Sequence, residues 1–150
     1  MLKQKLEDDL KTTLKAGDSL RVSTLRLVLA AVANREIELG KKDVGLSDEE
    51  ILKVLRSEVK KRKDAEGQFR KGGREDLAKK EGKEAEILET YLPREMSDIE
   101  LEQIILQSVR EAGYRTQADF GKAMKAAMAG LKGRAGGERV AKAVKKALGV

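Results

Sequence analysis

Neither cysteine nor histidine occurs among the 150 residues. Their absence removes disulfides, thiolate nucleophiles, His-based triads and the usual zinc ligand sets. Aromatic residues make up 3% of the chain and there is a single proline, Pro93. A core must then be assembled from Leu, Val, Ile, Ala and Met, and little interrupts a long helix. No apolar run approaches the roughly 18 residues that a membrane span requires. The opening MLKQKLEDDL carries acids within its first ten residues and has no apolar segment of the kind a secretory signal needs. These absences give the expectation of a cytoplasmic protein with no membrane partner.

What is present is helical in pattern. Leu2, Leu6, Leu10 and Leu14 recur every four residues, and Ala16-Gly17-Asp18 ends that helix. Asp18 or Ser19 then caps a second helix to about Leu39. Its apolar residues from Val22 to Ala33 cover more than one stripe, which predicts packing on several sides at the centre of the first lobe. Ser47-Asp48-Glu49-Glu50 has capping-box spacing, and the helix after it points Ile51, Leu52, Leu55, Val59 and Phe69 inward. Lys60-Lys61-Arg62-Lys63 on that helix is flanked by Glu58, Asp64 and Glu66, so it reads as a solvated face. Gly72-Gly73 precedes a fourth helix, from Arg74 to Tyr91, that turns Ala78, Ala85, Leu88 and Leu92 inward.

Pro93 pushes Leu92 away from helical geometry and marks the boundary between lobes. Ser97-Asp98-Ile99-Glu100 is a second capping box, followed by a helix with Leu101, Ile104, Ile105 and Val109 until Gly113. Thr116 caps a sixth helix with Phe120, Met124, Met128 and Leu131 in register. After the Gly133–Gly137 stretch, a seventh helix presents Val140, Val144, Ala147 and Leu148. The expected fold is all-α, a four-helix lobe over residues 1–92 and a three-helix lobe over 93–150.

Charge is uneven along the chain. The net charge is +6, yet residues 1–92 hold 21 Lys and Arg against 19 Asp and Glu. From Arg115 onward nine basic residues face only Asp119 and Glu138. Lys122 and Lys125 are neighbours on helix six, Lys132 precedes the turn and Arg134 sits in it, and Arg139, Lys142 and Lys146 share one side of helix seven with Lys145 beside them. A surface of one sign attracts polyanions, and neutralising phosphates releases counterions. These eight residues are the candidate nucleic-acid contacts.

The chain holds no Walker sequence, because Gly82-Lys83 and Gly121-Lys122 lack the earlier glycine and the following Ser or Thr. Gly133-Arg134-Ala135-Gly136-Gly137 is glycine-rich without the dinucleotide spacing. Asp8-Asp9 and Asp48-Glu49-Glu50 fall at helix starts or polar faces, where capping accounts for them. Tyr91 and Phe120 read as packing residues. No catalytic residue, metal site or cofactor is expected.

The segments RVSTLRLVLAAV, GREDLAKKEGKEAEILETYLPREMSDIELEQII and DFGKAMKAAMAGLKGRAGGERVAKAVKKAL resemble the YqeY branch of the GatB/YqeY family. The marks are Lys80-Glu81 through Glu86, then Tyr91-Leu92-Pro93, Gly121-Lys122 with Met124, and Gly133-Arg134. The resemblance implies a four-helix lobe followed by a three-helix lobe similar to the tail domain of the B subunit of glutamine-dependent tRNA amidotransferases. That tail contacts the tRNA body, while amide transfer occurs in domains this chain does not have. The resemblance therefore implies tRNA or structured-RNA contact, with Lys122 and Arg134 as contacts and an amidotransferase or translation-related protein as partner, but no catalysis. A carbon-nitrogen ligase label follows only by family likeness. The chain departs from the pattern in placing Gly136-Gly137 before Glu138, where the family often has an acid sooner. The alternative is a protein interaction module that does not bind RNA.

Overall fold

The computed structural model describes residues 1–149. These residues form seven α-helices and one 3₁₀ turn and contain no strand. The helices are α1 (Leu2–Ala16), α2 (Ser19–Glu38), α3 (Asp48–Lys71), α4 (Glu75–Glu89), α5 (Asp98–Ala112), α6 (Phe120–Leu131) and α7 (Gly137–Leu148). They fall into two compact units, Met1–Leu92 and Pro93–Val150.

Helix boundaries follow the capping chemistry in the sequence. The Ser47 hydroxyl accepts from the Glu50 amide at 3.2 Å while the Glu50 carboxylate accepts from the Ser47 amide at 2.8 Å. Ser97 and Glu100 reciprocate in the same way at 3.2 and 3.1 Å. Each box satisfies two of the amides that a helix start leaves unpaired. Asp18 caps α2 by accepting from the Arg21 amide at 3.1 Å. Gly17 ends α1 with φ 75°, a left-handed value that glycine adopts at no steric cost.

The core of the first unit is built from Leu6, Leu25, Val28, Val32, Ile51, Leu55, Ala85 and Leu88. Fully burying one such aliphatic side chain contributes about 1.5–3 kcal/mol. One expectation fails here for a geometric reason. A four-residue repeat gains about 40° per step on a helix that turns about 100° per residue, so Leu14 has rotated out of the stripe and is 47% exposed. Helix α2 buries Val22, Thr24, Leu25, Val28, Val32 and Glu36 along one broad face, and leaves Leu27 and Ile37 in solvent. It nevertheless meets α1, α3 and α4, the central place in the first unit that its broad apolar surface predicts.

The basic run on α3 also divides. Lys60, Lys61 and Lys63 are exposed, but Arg62 is buried and cannot belong to a solvated face. Its Nε donates to Glu84 Oε2 at 3.2 Å and its Nη1 donates to Glu58 Oε2 at 2.8 Å. Arg62 and Glu84 keep only 7% of their side-chain surface each. Burial makes these ions costly alone and compatible only as a hydrogen-bonded set. Nearby, a Cβ on Gly82 would sit 3.0 Å from the Glu66 carboxylate, the movable end of an α3 side chain.

Asp9 is not merely a helix-surface acid. The Tyr91 hydroxyl donates to its Oδ2 at 2.5 Å, which ties α1 to the end of α4. Burial and the neighbouring carboxylate push the Tyr91 phenol well above its ordinary pKa. Tyr91 is a packing residue, as expected. Lys3 and the buried Glu36 pair at 2.7 Å between α1 and α2.

In the second unit α5, α6 and α7 enclose Leu101, Ile105, Val109, Ala123, Ala127, Leu131, Val140, Val144 and Leu148. On α6 the deepest residues are Ala123, Ala127 and Leu131, whereas Phe120, Met124 and Met128 are partly buried. Small alanines occupy the contact line and the larger side chains flank it. Among the described residues, no helix is long and apolar enough to cross a membrane.

The buried α3–α4 ion set gives a direct test. Arg62→Met leaves Glu84 and Glu58 without their cation and is expected to destabilise the protein by about 3–5 kcal/mol. Arg62→Met combined with Glu84→Gln and Glu58→Gln should recover part of that loss. Denaturant unfolding measures both, and a single variant as stable as the parent contradicts the assignment.

Candidate nucleic-acid interface

The α6–α7 hairpin positions the eight basic residues singled out by sequence, and it sorts them. Lys122, Lys125 and Lys132 lie at i, i+3 and i+10 on α6 and its C-cap, all exposed. They face away from the Ala123–Ala127–Leu131 contact line, as their offsets of roughly 100° per residue dictate. Ten residues at about 1.5 Å each spread them along about 15 Å of helix.

Lys132 terminates α6 with φ 48° and ψ 44°, and Gly133 follows with φ 79°. The left-handed turn therefore rests on Lys132 and Gly133. Gly136 is extended, with φ −72° and ψ 154°, and serves as the N-cap of α7. The Gly136-Gly137 pair, where the chain departs from the family pattern, does not make the left-handed bend. Arg134 is exposed, and its carbonyl accepts from the Met96 amide at 3.2 Å. The turn is thus held to the segment that leads into α5.

Helix α7 distributes its cations to three sides. Arg139 turns toward α5: Nη2 donates to the Met96 carbonyl at 2.7 Å and to Asp98 Oδ1 at 2.8 Å, and Nε donates to the same carboxylate at 3.3 Å. Glu95 adds an ion pair at 3.8 Å, and Arg139 keeps 32% of its side-chain surface. Lys146, two turns on, reaches Glu102 at 3.2 Å. Lys145 lies on the α6 side, its ammonium 5.9 Å from the centre of the Phe120 ring. Lys142 points outward and is exposed.

Arg139 accordingly helps hold α7 on α5, while the exposed Lys146–Glu102 pair adds little. Among the described residues, Lys122, Lys125, Lys132, Arg134, Lys142 and Lys145 form no ion pair. Sequence spacing put Arg139, Lys142 and Lys146 on one side of α7, but it could not show that α5 supplies carboxylates opposite two of them.

The local field is less one-sided than the C-terminal stretch implied. The unit as a whole carries eleven Lys and Arg against seven Asp and Glu, because α5 and its approach bring five acids. Arg94 was not singled out from sequence, yet its charge, with that of Arg134, helps hold the Glu100 carboxyl below its usual range. The larger causes there are the Ser97 amide and hydroxyl. Asp119 is likewise lowered, chiefly by the Arg115 and Thr116 amides, with Lys122 contributing least. Both acids are committed to capping. Among the described residues no group of acids could hold a metal ion.

Arg139 and Lys142 separate holding from contacting. Arg139→Met removes hydrogen bonds to the Met96 carbonyl and Asp98 and should destabilise the second unit by about 1–3 kcal/mol. Lys142→Gln should stay within about 0.5 kcal/mol. Thermal melts read both, and equal effects contradict the division.

A family model described as Yqey-like protein matches residues 3–148. A protein of Kluyveromyces lactis named "Altered inheritance of mitochondria protein 41, mitochondrial" is 38% identical over 125 residues, covering 78% of this chain and 66% of the relative. Its namesake in Lachancea thermotolerans is 40% identical over 88 residues, covering 58% of this chain and 46% of the relative. The chain thus spans from about half to just under two thirds of the length of these curated relatives. Their names are mitochondrial, which overturns the cytoplasmic expectation. Lack of cysteine and of a long apolar run limits redox chemistry and membrane crossing, and neither distinguishes the cytosol from another aqueous compartment. With the family match running over nearly its whole length, the chain belongs to the Yqey-like protein family.

Proposed function

We propose that the second unit binds a folded RNA, tRNA being the shape that the family resemblance suggests, and that it acts as a noncatalytic accessory to translation or amidotransferase machinery. The contacts are Lys122, Lys125, Lys132, Arg134, Lys142 and Lys145. Arg139 supports them by fixing the start of α7, and Lys146 is paired with Glu102. The observation that carries this proposal is the set of exposed cations on the α6–α7 hairpin without ion-pair partners among the described residues.

Rings available for base stacking are few. Tyr91 is buried, and Phe120 and Tyr114 pack against the second core. Binders of single strands depend on such platforms. A folded RNA, recognised through shape and phosphates, fits the surface better. Amide transfer is not assigned to this chain, and any ligase activity is placed with a partner enzyme.

Salt-dependent affinity for a folded tRNA tests the proposal. Lys122→Gln with Lys125→Gln should flatten the slope of log affinity against log salt by about two, near one for each phosphate that is no longer neutralised. Lys146→Gln should leave the slope close to the parent's. A double variant with the parental slope excludes the α6 ridge, and equal competition by an unstructured strand of the same length reduces binding to nonspecific attraction.

A further inference from the structure

Helix α2 carries a second apolar seam that no described residue of the first unit covers. Leu27, Ala30, Asn34 and Ile37 recur at intervals of three, four and three, the spacing of a two-helix seam. Leu27 is 54% exposed and Ile37 64%, with Ala30 and Asn34 exposed between them. This seam is distinct from the buried Val22–Val32 stripe. Beside it a groove of about 620 Å³ runs between α2 and α3, with Ala31, Leu39 and Val54 among its apolar lining.

Charge around the groove selects the occupant. Its carboxylates are already held within the chain: Glu38 by Arg35 at 2.9 Å, Glu58 by Arg62 at 2.8 Å, and Glu50 by Lys41. Lys41 and the amide of Ser47 keep the Glu50 carboxyl below its usual range. Lys53 in the groove and Arg26 beside the seam have no ion-pair partner among the described residues. The charge left for an incoming surface is positive.

We infer that this face of the first unit docks an amphipathic helix of a partner protein, about three turns long, with an apolar stripe and acidic flanks. The length follows from the ten residues between Leu27 and Ile37, about 15 Å of helix. Ala30 permits close approach of the two backbones, while Leu27 and Ile37 close the seam at its ends. Asn34 sets the register, since a polar seam residue leaves its partner unsatisfied in a shifted alignment. This helix-in-groove mode is independent of the RNA surface and uses the other unit.

The probes are two fluorescein-labelled helical peptides with the same Leu and Ala stripe, one flanked by Glu and the other by Lys. Anisotropy with the full chain should show the Glu peptide binding at least about tenfold tighter. Leu27→Glu with Ile37→Glu should abolish its binding, and Lys53→Glu should weaken it while leaving the melting temperature unchanged. Equal binding of the two peptides, no binding of either, or parental binding by both variants overturns the inference. Sedimentation of the chain alone supplies a further contrary outcome: a dimer dissociated by the Leu27 and Ile37 substitutions assigns the seam to a second copy.

Discussion

The arrangement of the second unit depends on one guanidinium. Arg139 reaches from the first turn of α7 to the Met96 carbonyl and the Asp98 carboxylate, and the Met96 amide in turn donates to the Arg134 carbonyl. The segment entering α5, the α6–α7 turn and the start of α7 are thereby fixed together at one point. Because those bonds occupy Arg139, it is withdrawn from the outward surface. Lys146 repeats the pairing with Glu102 toward the other end of α7. The cations left over are those of the α6 ridge, the turn, and Lys142 and Lys145. Their availability is a consequence of how α5 and α7 are joined.

The first unit is organised around a different constraint. Arg62 and Glu84 are nearly out of water, and the α3–α4 pair closes on them with Glu58 as a third member. A buried ion set contributes little net stability but penalises alternatives strongly, since any shift of α4 along α3 separates charges that water cannot reach. The Tyr91 tie to Asp9 joins α1 to the same assembly, and α2 packs against α1, α3 and α4 while leaving Leu27 and Ile37 exposed. The apolar seam on its far side remains for a partner.

Much of the fold was legible because the signals are local. The boxes at Ser47 and Ser97, glycine at the ends of α1 and α5, and Pro93 each act within four residues, and the helices begin and end where they direct. The misreadings are nonlocal. Arg62 sits inside a basic run that looks solvated, and only Glu84, 22 positions later, makes its burial possible. Asp9 resembles a surface acid until Tyr91 arrives from the far end of the unit. On α7, helical periodicity groups Arg139, Lys142 and Lys146, but Asp98 and Glu102, on a helix about 40 positions away, draw Arg139 and Lys146 toward α5 and leave Lys142 pointing outward. Compartment was not legible at all, since an absence of cysteine suits several.

On the proposed reading, the α6–α7 hairpin meets folded RNA through cations that α5 leaves unpaired. The most direct measurement is a titration of folded tRNA into the isotopically labelled chain, following amide resonances. Perturbations are expected to concentrate on Lys122, Lys125, Lys132, Arg134, Lys142 and Lys145, with α2 and α3 unmoved. Perturbations centred on the α2–α3 face, or none at low salt, would contradict it.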